Sequence, residues 1–347
     1  MRVMSRSEQH PYRASLTQVP DGESRPLWSV MIPTYNCAEY LRETLASVLA
    51  QDPGPEVMQI EVVDDRSTLD DPAAVVEELG RGRVGFYQQP YNVGYIRNFE
   101  TCLLRSRGQL IHLLHGDDCV RDGFYSKLQS AFEKNSEIGA GFCRHIGMDE
   151  KGHWLWISDL EQSDSGILSN WLERIAVKQR IQTPSIVVRR DVYEKLGGFD
   201  RRFSCCGEDW EMWVRIAAHY PVWYEVKPLA MYRIHSKSLS RMSTRTGAEM
   251  RDLRMAIEMM QPYLPAPIAS KLSNQAREYW ALFAIRYLAP KMLTLGDLTA
   301  ANTQIQEALK CSHSLKVIKE STRLIWQIGN LWMKRTGSQK KLLKTLN

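Results

Sequence analysis

Trp28-Ser29-Val30-Met31-Ile32-Pro33-Thr34-Tyr35-Asn36 decides the fold. Its first five residues form an apolar, β-prone run, and the four after them read as a turn. Just beyond, Leu41, Leu45, Val48 and Leu49 fall at i, i+4, i+7 and i+8, the spacing of one buried helical stripe. The strand-then-helix pattern repeats: strands are expected over Ile60–Val63, Val84–Tyr87 and Leu110–Leu114. The intervening helices are Ala73–Leu79 and those marked by Ile96, Phe99 and Leu103 and by Phe124, Leu128 and Phe132. Such alternation predicts an α/β fold, a mostly parallel sheet flanked by helices. From Gly139 to Arg233 the pattern is less regular. Beyond Arg241 the strand signals stop, and Glu249–Leu264, Ile268–Leu293, Leu298–Leu309 and Leu315–Lys334 read as helices. The expected organisation is a loose polar tail over 1–26, an α/β domain over 27–240 and a helical C-terminal region over 241–347.

Apolar residues make up 44% of the 347 and charged ones 24%, which fits a folded soluble chain and excludes global disorder or a polytopic membrane protein. The net charge of +5 is too small for a surface built to grip nucleic acid. Seven cysteines, odd in number and without a CxxC pair, predict a reducing compartment and no structural zinc; adjacent Cys205 and Cys206 are poorly placed to bridge each other. The N-terminal residues lack an apolar signal core, and no run approaches the ~18 apolar residues of a membrane span. A cytoplasmic protein, peripheral at most, is the expectation.

The residues after each early strand carry the functional signal. They are Pro33-Thr34-Tyr35-Asn36, Asp64-Asp65-Arg66-Ser67, Asn92-Val93-Gly94 and His115-Gly116-Asp117-Asp118. All four lie at carboxyl ends, the edge where parallel sheets open a ligand crevice. Taken singly, Asn-x-Gly is a turn and Asp-Asp-x-Ser a helix cap; their shared edge is what points to a site. Asp117 and Asp118 place two carboxylates at the end of a buried strand, where repulsion calls for a cation. A hard divalent ion, Mg²⁺ or Mn²⁺, suits oxygen ligands of that kind, unless Asp118 merely caps a following helix.

Gly80-Arg81-Gly82-Arg83-Val84-Gly85 matches the dinucleotide G-x-G-x-x-G pattern but precedes a strand and opens no helix, so it holds no pyrophosphate. Further on, Glu208 and Asp209 sit at an expected helix start, where the helix dipole alone would stabilise them. Gly197-Gly198-Phe199-Asp200 reads as a flexible aromatic turn suited to close approach by a ligand. Tyr232-Arg233-Ile234-His235 ends the last expected strand.

Together these pieces resemble family 2 glycosyltransferases of the GT-A fold, in order and spacing over about residues 28–240. The resemblance rests on Pro33-Thr34-Tyr35-Asn36, Asp64-Asp65-x-Ser67, Asn92-x-Gly94, Asp117-Asp118 as the D-x-D equivalent, Glu208-Asp209-Trp210 and Tyr232-Arg233-x-His235. Arg66 stands where that family usually has glycine, and His115-Gly116 precede the acidic pair. The resemblance implies an inverting, metal-dependent transfer from a nucleotide-diphosphate sugar, UDP- or dTDP-linked, to a hydroxyl of a glycan or lipid-linked acceptor in surface polysaccharide or lipopolysaccharide assembly. It implies roles: Pro33, Thr34, Tyr35, Asp64, Asp65, Asn92 and Arg97 around the nucleoside, and Asp117 at the ribose or donor sugar. Asp118 and His235 would serve at the cation, Asp209 as general base with Glu208 beside it, and Gly198, Phe199 and Trp210 toward acceptor or donor sugar.

Two other functions compete. Nucleotidyl transfer to a sugar phosphate would use a similar sheet and acidic pair but calls for a Gly-rich basic loop after the first strand, which Pro33–Asn36 does not provide. A non-catalytic membrane-surface module on a degenerate transferase fold is the non-enzyme alternative. Bearing on the membrane, Lys310–Asn347 holds nine Lys or Arg against one acid, Glu320, so this segment carries +8 and the rest of the chain −3. Leu315, Ile318, Leu324, Ile325, Trp326, Ile328, Leu331, Trp332 and Met333 interleave with the charges, the pattern of a helix lying on an anionic membrane surface.

Overall fold

The first strand, β1 (Trp28–Thr34), and the second, β2 (Met58–Asp64), are buried at every residue, as strands covered on both faces must be. The structure, a computed structural model, describes residues 11–19, 25–235 and 239–329. Helix α1 (Ala38–Leu49) buries Leu41, Leu45 and Val48 against the sheet, the stripe its spacing announces. Next come α2 (Pro72–Gly80), β3 (Gly85–Gln88), α3 (Tyr95–Arg105), β4 (Leu110–Leu113), the short β5 (Cys119–Val120) and α4 (Phe124–Lys134). Asp71 caps α2, accepting from the Ala74 N–H, with Pro72 just inside the helix.

The less regular stretch holds β6 (Ala140–Met148), β7 (Trp154–Ile157), β8 (Gly166–Ile167), α5 (Trp171–Ile175), β9 (Ile186–Arg189), α6 (Arg190–Leu196), α7 (Glu208–Ala217) and β10 (Val222–Arg233). The ten strands form one mixed sheet of order β3-β2-β1-β4-β9-β6-β10-β5, with β7 added to β6 and β8 to β10. Its longer ladders, β1 with β2 and β6 with β10, are parallel. Strand β9 runs antiparallel between β4 and β6 and separates the parallel set β3-β2-β1-β4 from a mixed set built on the parallel pair β6 and β10. The carboxyl ends of β1 to β4 therefore share one edge beside that break.

Two compact units divide the chain. The first comprises 1–175, 179–203 and 208–236; the second 176–178, 204–207 and 237–347. Residues 11–19, inside the stretch expected to be loose, are held: Arg13 pairs with Asp200 at 3.2 Å and Glu211 at 3.0 Å, and Ala14 and Leu16 are buried. The second unit is helical: α8 (Leu239–Thr246), α9 (Ala248–Met260), α10 (Ala266–Phe283), α11 (Ala289–Thr294), α12 (Leu298–Cys311) and a further helix over 315–329. Between α10 and α11 the chain widens into one π-type turn, Ala284–Leu288, just before Pro290, whose missing N–H breaks the regular ladder. Among the described residues no helix is long and apolar enough to cross a membrane.

Candidate active site

Asp118 is the centre of the arrangement. Fully buried after β4, it accepts the Arg233 N–H through Oδ1 at 2.8 Å, while its Oδ2 has no hydrogen-bond partner. An orphaned buried carboxylate oxygen is costly, so something outside the protein is expected to meet it. Asp117 and His115 bring ligand atoms within 4.8 Å of it and of each other, and His115 Nδ1 lies 3.9 Å from Asp118 Oδ2. His235 Nε2 contacts Asp117 Oδ2 at 2.9 Å. Burial, then the charge of Asp117, pushes the Asp118 carboxyl well above the ordinary range. For Asp117 burial acts upward too, but the hydrogen bond and charge of His235 and the charge of His115 bring the net direction down. A divalent cation among these oxygens would relieve the frustration; the donors fit a hard ion with one imidazole.

Arg233 locks this corner. It is buried, donating to Asp117 O at 2.8 Å and to Glu43 at 2.6 Å, with its guanidinium carbon 4.7 Å from the Tyr40 ring centre. Gly116 is closely fitted: a Cβ there would lie 3.0 Å from Thr34 Oγ1, so a larger residue would push on the end of β1. His115 stacks on Phe99 at 4.9 Å, and its Nε2 is a buried atom without a partner. Of the cation ligands expected from sequence, Asp118 stands at the site, and His235 reaches it through Asp117. His115 was missed as a ligand, although it lies two residues before Asp117.

Around the expected nucleoside site, Thr34 is buried at the end of β1 and Tyr35 beside it is 47% exposed. Pro33 accepts the Gly116 N–H through its carbonyl, tying β1 to the acidic turn. Asp65 accepts from the Val93 and Gly94 N–H groups at 2.7 and 3.0 Å, and Asn92 donates to the Asp65 carbonyl at 3.1 Å, so the loop after β3 is pinned to the loop after β2. Arg97 lies exposed on the first turns of α3. Asp64, also expected at the nucleoside, is fully buried and accepts from the Ser67 N–H and hydroxyl and from Gln88 Nε2, bonds that shape the turn. Arg66 has φ of 65°, the left-handed region where glycine is easiest, and its guanidinium donates to Gln88 at 2.7 Å.

The acidic pair opening α7 joins the same edge through two contacts. Tyr95 at the start of α3 donates from its hydroxyl to Glu208 at 3.1 Å. Gln179 donates to Asp209 Oδ2 at 2.8 Å, and the Thr183 hydroxyl also bonds to that carboxyl. The turn carrying Thr183 is tied to β4 by the contact of His112 Nε2 with the Pro184 carbonyl at 3.0 Å. Burial pushes the Asp209 carboxyl up to about 6, against the pull of its hydrogen bonds from Trp210 and Gln179. Gln179, Thr183 and Tyr95 carry no motif, and nothing in the sequence marked them.

Packing accounts for three residues expected toward the acceptor or donor sugar. Phe199 is fully buried, edge-on to Phe99 and Trp213. Trp210 is fully buried and donates its indole N–H to the Ile175 carbonyl at 2.7 Å. Gly198 accepts from Arg215 and leaves a Cβ only 3.2 Å from Leu103. All three build the core beneath the site, because an aromatic or glycine beside a catalytic motif serves close packing as readily as a ligand.

Comparison with known proteins bears on the family and the fold. Residues 29–197 match the family described as glycosyl transferase family 2. A glycosyltransferase of Haemophilus influenzae is 25% identical over 235 residues, covering 63% of this chain and 68% of its own. The O-antigen biosynthesis protein RfbC of Myxococcus xanthus is 26% identical over 220 residues, 56% of this chain but 16% of that far longer protein. Among solved structures, Staphylococcus aureus TarS 1–349, also solved in complex with UDP-GlcNAc, superposes with a TM-score of 0.62 at 15% identity, over 81% of each chain in that complex. At that identity the likeness concerns the fold, which is the GT-A architecture of TarS.

Proposed function

The chain belongs, through residues 29–197, to glycosyl transferase family 2, and on that premise we propose that it moves a sugar from a nucleotide-diphosphate donor to a glycan or lipid-linked hydroxyl with inversion. The observation that carries the proposal is the orphaned Oδ2 of Asp118 beside Asp117 and His115, on the sheet edge to which Asp209 is also tied. Asp118, His115 and Asp117 would hold the divalent cation, Mn²⁺ or Mg²⁺, which when bound neutralises charge on the leaving diphosphate. Asp65 and the loop it pins, with Thr34, Tyr35, Asn92 and Arg97, would receive the nucleoside, a UDP or dTDP moiety. Asp209 takes the proton of the attacking hydroxyl as the new anomeric C–O bond forms and the bond to the diphosphate oxygen breaks. Its carboxyl, lifted to about 6, is ionised at neutral pH yet basic enough to serve. Glu208, fixed by Tyr95, orients the acceptor. One base with no candidate nucleophile supports inversion over double displacement.

Assembly of surface polysaccharide on a cytoplasmic membrane face is supported by the O-antigen relative and by the helix over 315–329. Val317, Ser321 and Leu324 are its buried face, whereas Leu315, Ile318, Ile325 and Trp326 are exposed. Lys316, Lys319 and Arg323 border that apolar strip, an arrangement suited to an anionic surface. The remaining basic residues and Leu331, Trp332 and Met333 lie outside the described residues. The test is a thermal-shift panel of UDP-, dTDP- and GDP-sugars with and without Mn²⁺, followed by donor hydrolysis. One nucleotide class should raise the melting temperature, with a Mn²⁺ requirement. If none did and no metal-stimulated hydrolysis followed, the proposal would fail.

A further inference from the structure

The loop Ser204–Gly207 belongs to the helical unit and carries the adjacent thiols that cysteine spacing dismissed as a metal site. Asp252 on α9 gathers this loop onto a single oxygen. Its Oδ2 accepts the N–H groups of Ser204 at 2.8 Å, Cys205 at 2.8 Å and Cys206 at 3.4 Å, together with the Ser204 hydroxyl at 2.9 Å. The convergence brings both thiols near that carboxylate, the Cys205 thiol donating to it and the Cys206 thiol to the Glu249 carbonyl at 3.6 Å. Cys205 Sγ, Cys206 Sγ and an Asp252 oxygen all lie within 4.8 Å of one another, and Cys205 Sγ sits 3.3 Å from Oδ2.

We propose that Cys205, Cys206 and Asp252 form a metal site for a borderline or soft divalent cation, Zn²⁺ in the first instance, separate from the oxygen-rich cluster at Asp117 and Asp118. The dimensions support it. A tetrahedral Zn²⁺ with Zn–S of about 2.3 Å and Zn–O of about 2.0 Å needs an S···O edge of about 3.5 Å and an S···S edge of about 3.8 Å. The loop already holds the first edge to within about 0.2 Å of that length. Three protein ligands leave a fourth position open to water, as in sites that exchange their metal.

The chemistry of the thiols agrees. Burial pushes Cys37, Cys119 and Cys143 up to about 12 and Cys311 to about 11, and Cys102 well above its ordinary range, which makes all five poor ligands. Both thiols of the pair are part-exposed, so an ion can reach them. Cys205 and Cys206 lie three and two residues before Glu208, so a bound ion would clamp the loop that leads into it.

The site is independent of the reaction proposed above, and its test does not read activity. Reduced full-length protein is titrated with Co²⁺, watching the thiolate-to-cobalt charge-transfer band and the visible bands of tetrahedral cobalt. One equivalent per chain should bring up both, and Zn²⁺ but not Mg²⁺ should bleach them. Cys205→Ser and Cys206→Ser should each abolish the charge-transfer intensity of the paired thiolates, whereas Asp118→Asn should leave the spectrum intact. Asp252→Asn should weaken Co²⁺ binding at least tenfold; should that variant not fold, the two serine variants decide alone. No thiolate band at saturating Co²⁺, or an undiminished one in the Cys205→Ser/Cys206→Ser double variant, overturns the proposal.

Discussion

Replacing Asp209 with Asn separates what the fold tolerates from what the chemistry needs. The carboxyl sits at about 6 against an ordinary 3.8, lifted chiefly by burial. An acid whose folded pKa exceeds its unfolded one costs stability once pH rises through that window, because the unfolded chain releases its proton first. About two pH units correspond to roughly 3 kcal/mol of destabilisation carried at pH 7 and absent below pH 4. Asn removes the charge but meets the Trp210 N–H and Gln179 amide with one acceptor where Asp offers two, which returns part of the gain. Asp209→Asn should therefore be about 1–2 kcal/mol more stable than wild type at pH 7, a rise of a few degrees in melting temperature, and no more stable at pH 4. Its turnover should fall by about 10²- to 10⁴-fold with donor affinity unchanged. In the wild type the ionised fraction drops from about nine-tenths at pH 7 to about one-tenth at pH 5, so kcat/KM should follow, whereas an unshifted carboxyl would stay more than about nine-tenths ionised. Gln179 donates to the charged form, so Gln179→Leu should move this acid limb to higher pH. An acid limb centred near pH 4, or one that Gln179→Leu moves downward, would refute the assignment of Asp209 as the base.

Three further outcomes are expected. Asp118→Asn should lose Mn²⁺ binding by calorimetry while melting no lower than wild type in metal-free buffer, since it removes a frustrated buried charge; an unchanged Mn²⁺ isotherm would contradict the site. Phe199→Ala should cost about 3–5 kcal/mol in denaturant unfolding, the price of a vacated aromatic core position, with acceptor KM unaltered in the surviving folded fraction. Lys316→Glu with Lys319→Glu and Arg323→Glu should abolish co-sedimentation with anionic vesicles, and high salt should mimic it in the wild type; undiminished sedimentation would remove this helix from the membrane surface.

The βαβ half was legible because β1, β2 and β4 are buried along their whole length and the helices on one face, so periodicity and burial coincide. Leu41, Leu45 and Val48 were readable for that reason. From Gly139 onward the rule fails: β7, Trp154–Ile157, is exposed at every residue although wholly apolar, and β9, buried over Ile186, Val187 and Val188, enters antiparallel and so breaks the βαβ alternation. The site was legible where function sits on consecutive residues at a strand end, as at Asp117-Asp118. It was not legible where a side chain arrives from afar, as Gln179 does at Asp209 or Asp252 at the two thiols. Phe199 and Trp210, beside the site motifs, have packing roles under the site that the sequence did not announce.

Arg233 shows how the two kinds of information meet. Its backbone N–H holds Asp118 Oδ1, its guanidinium holds the Asp117 carbonyl and Glu43, and it lies at the end of the longest strand of the sheet. A guanidinium so placed could have paired directly with Asp118 and quenched its charge. Instead the side chain passes the carboxylate by, meets the backbone behind it, and leaves Oδ2 bare. A fold selected for stability alone would close that ion pair, because an uncompensated buried carboxylate is among the costlier features a core can hold. On the reading proposed here, a cation arriving with the substrate would relieve the frustration, which would tie stability at this corner to ligand binding.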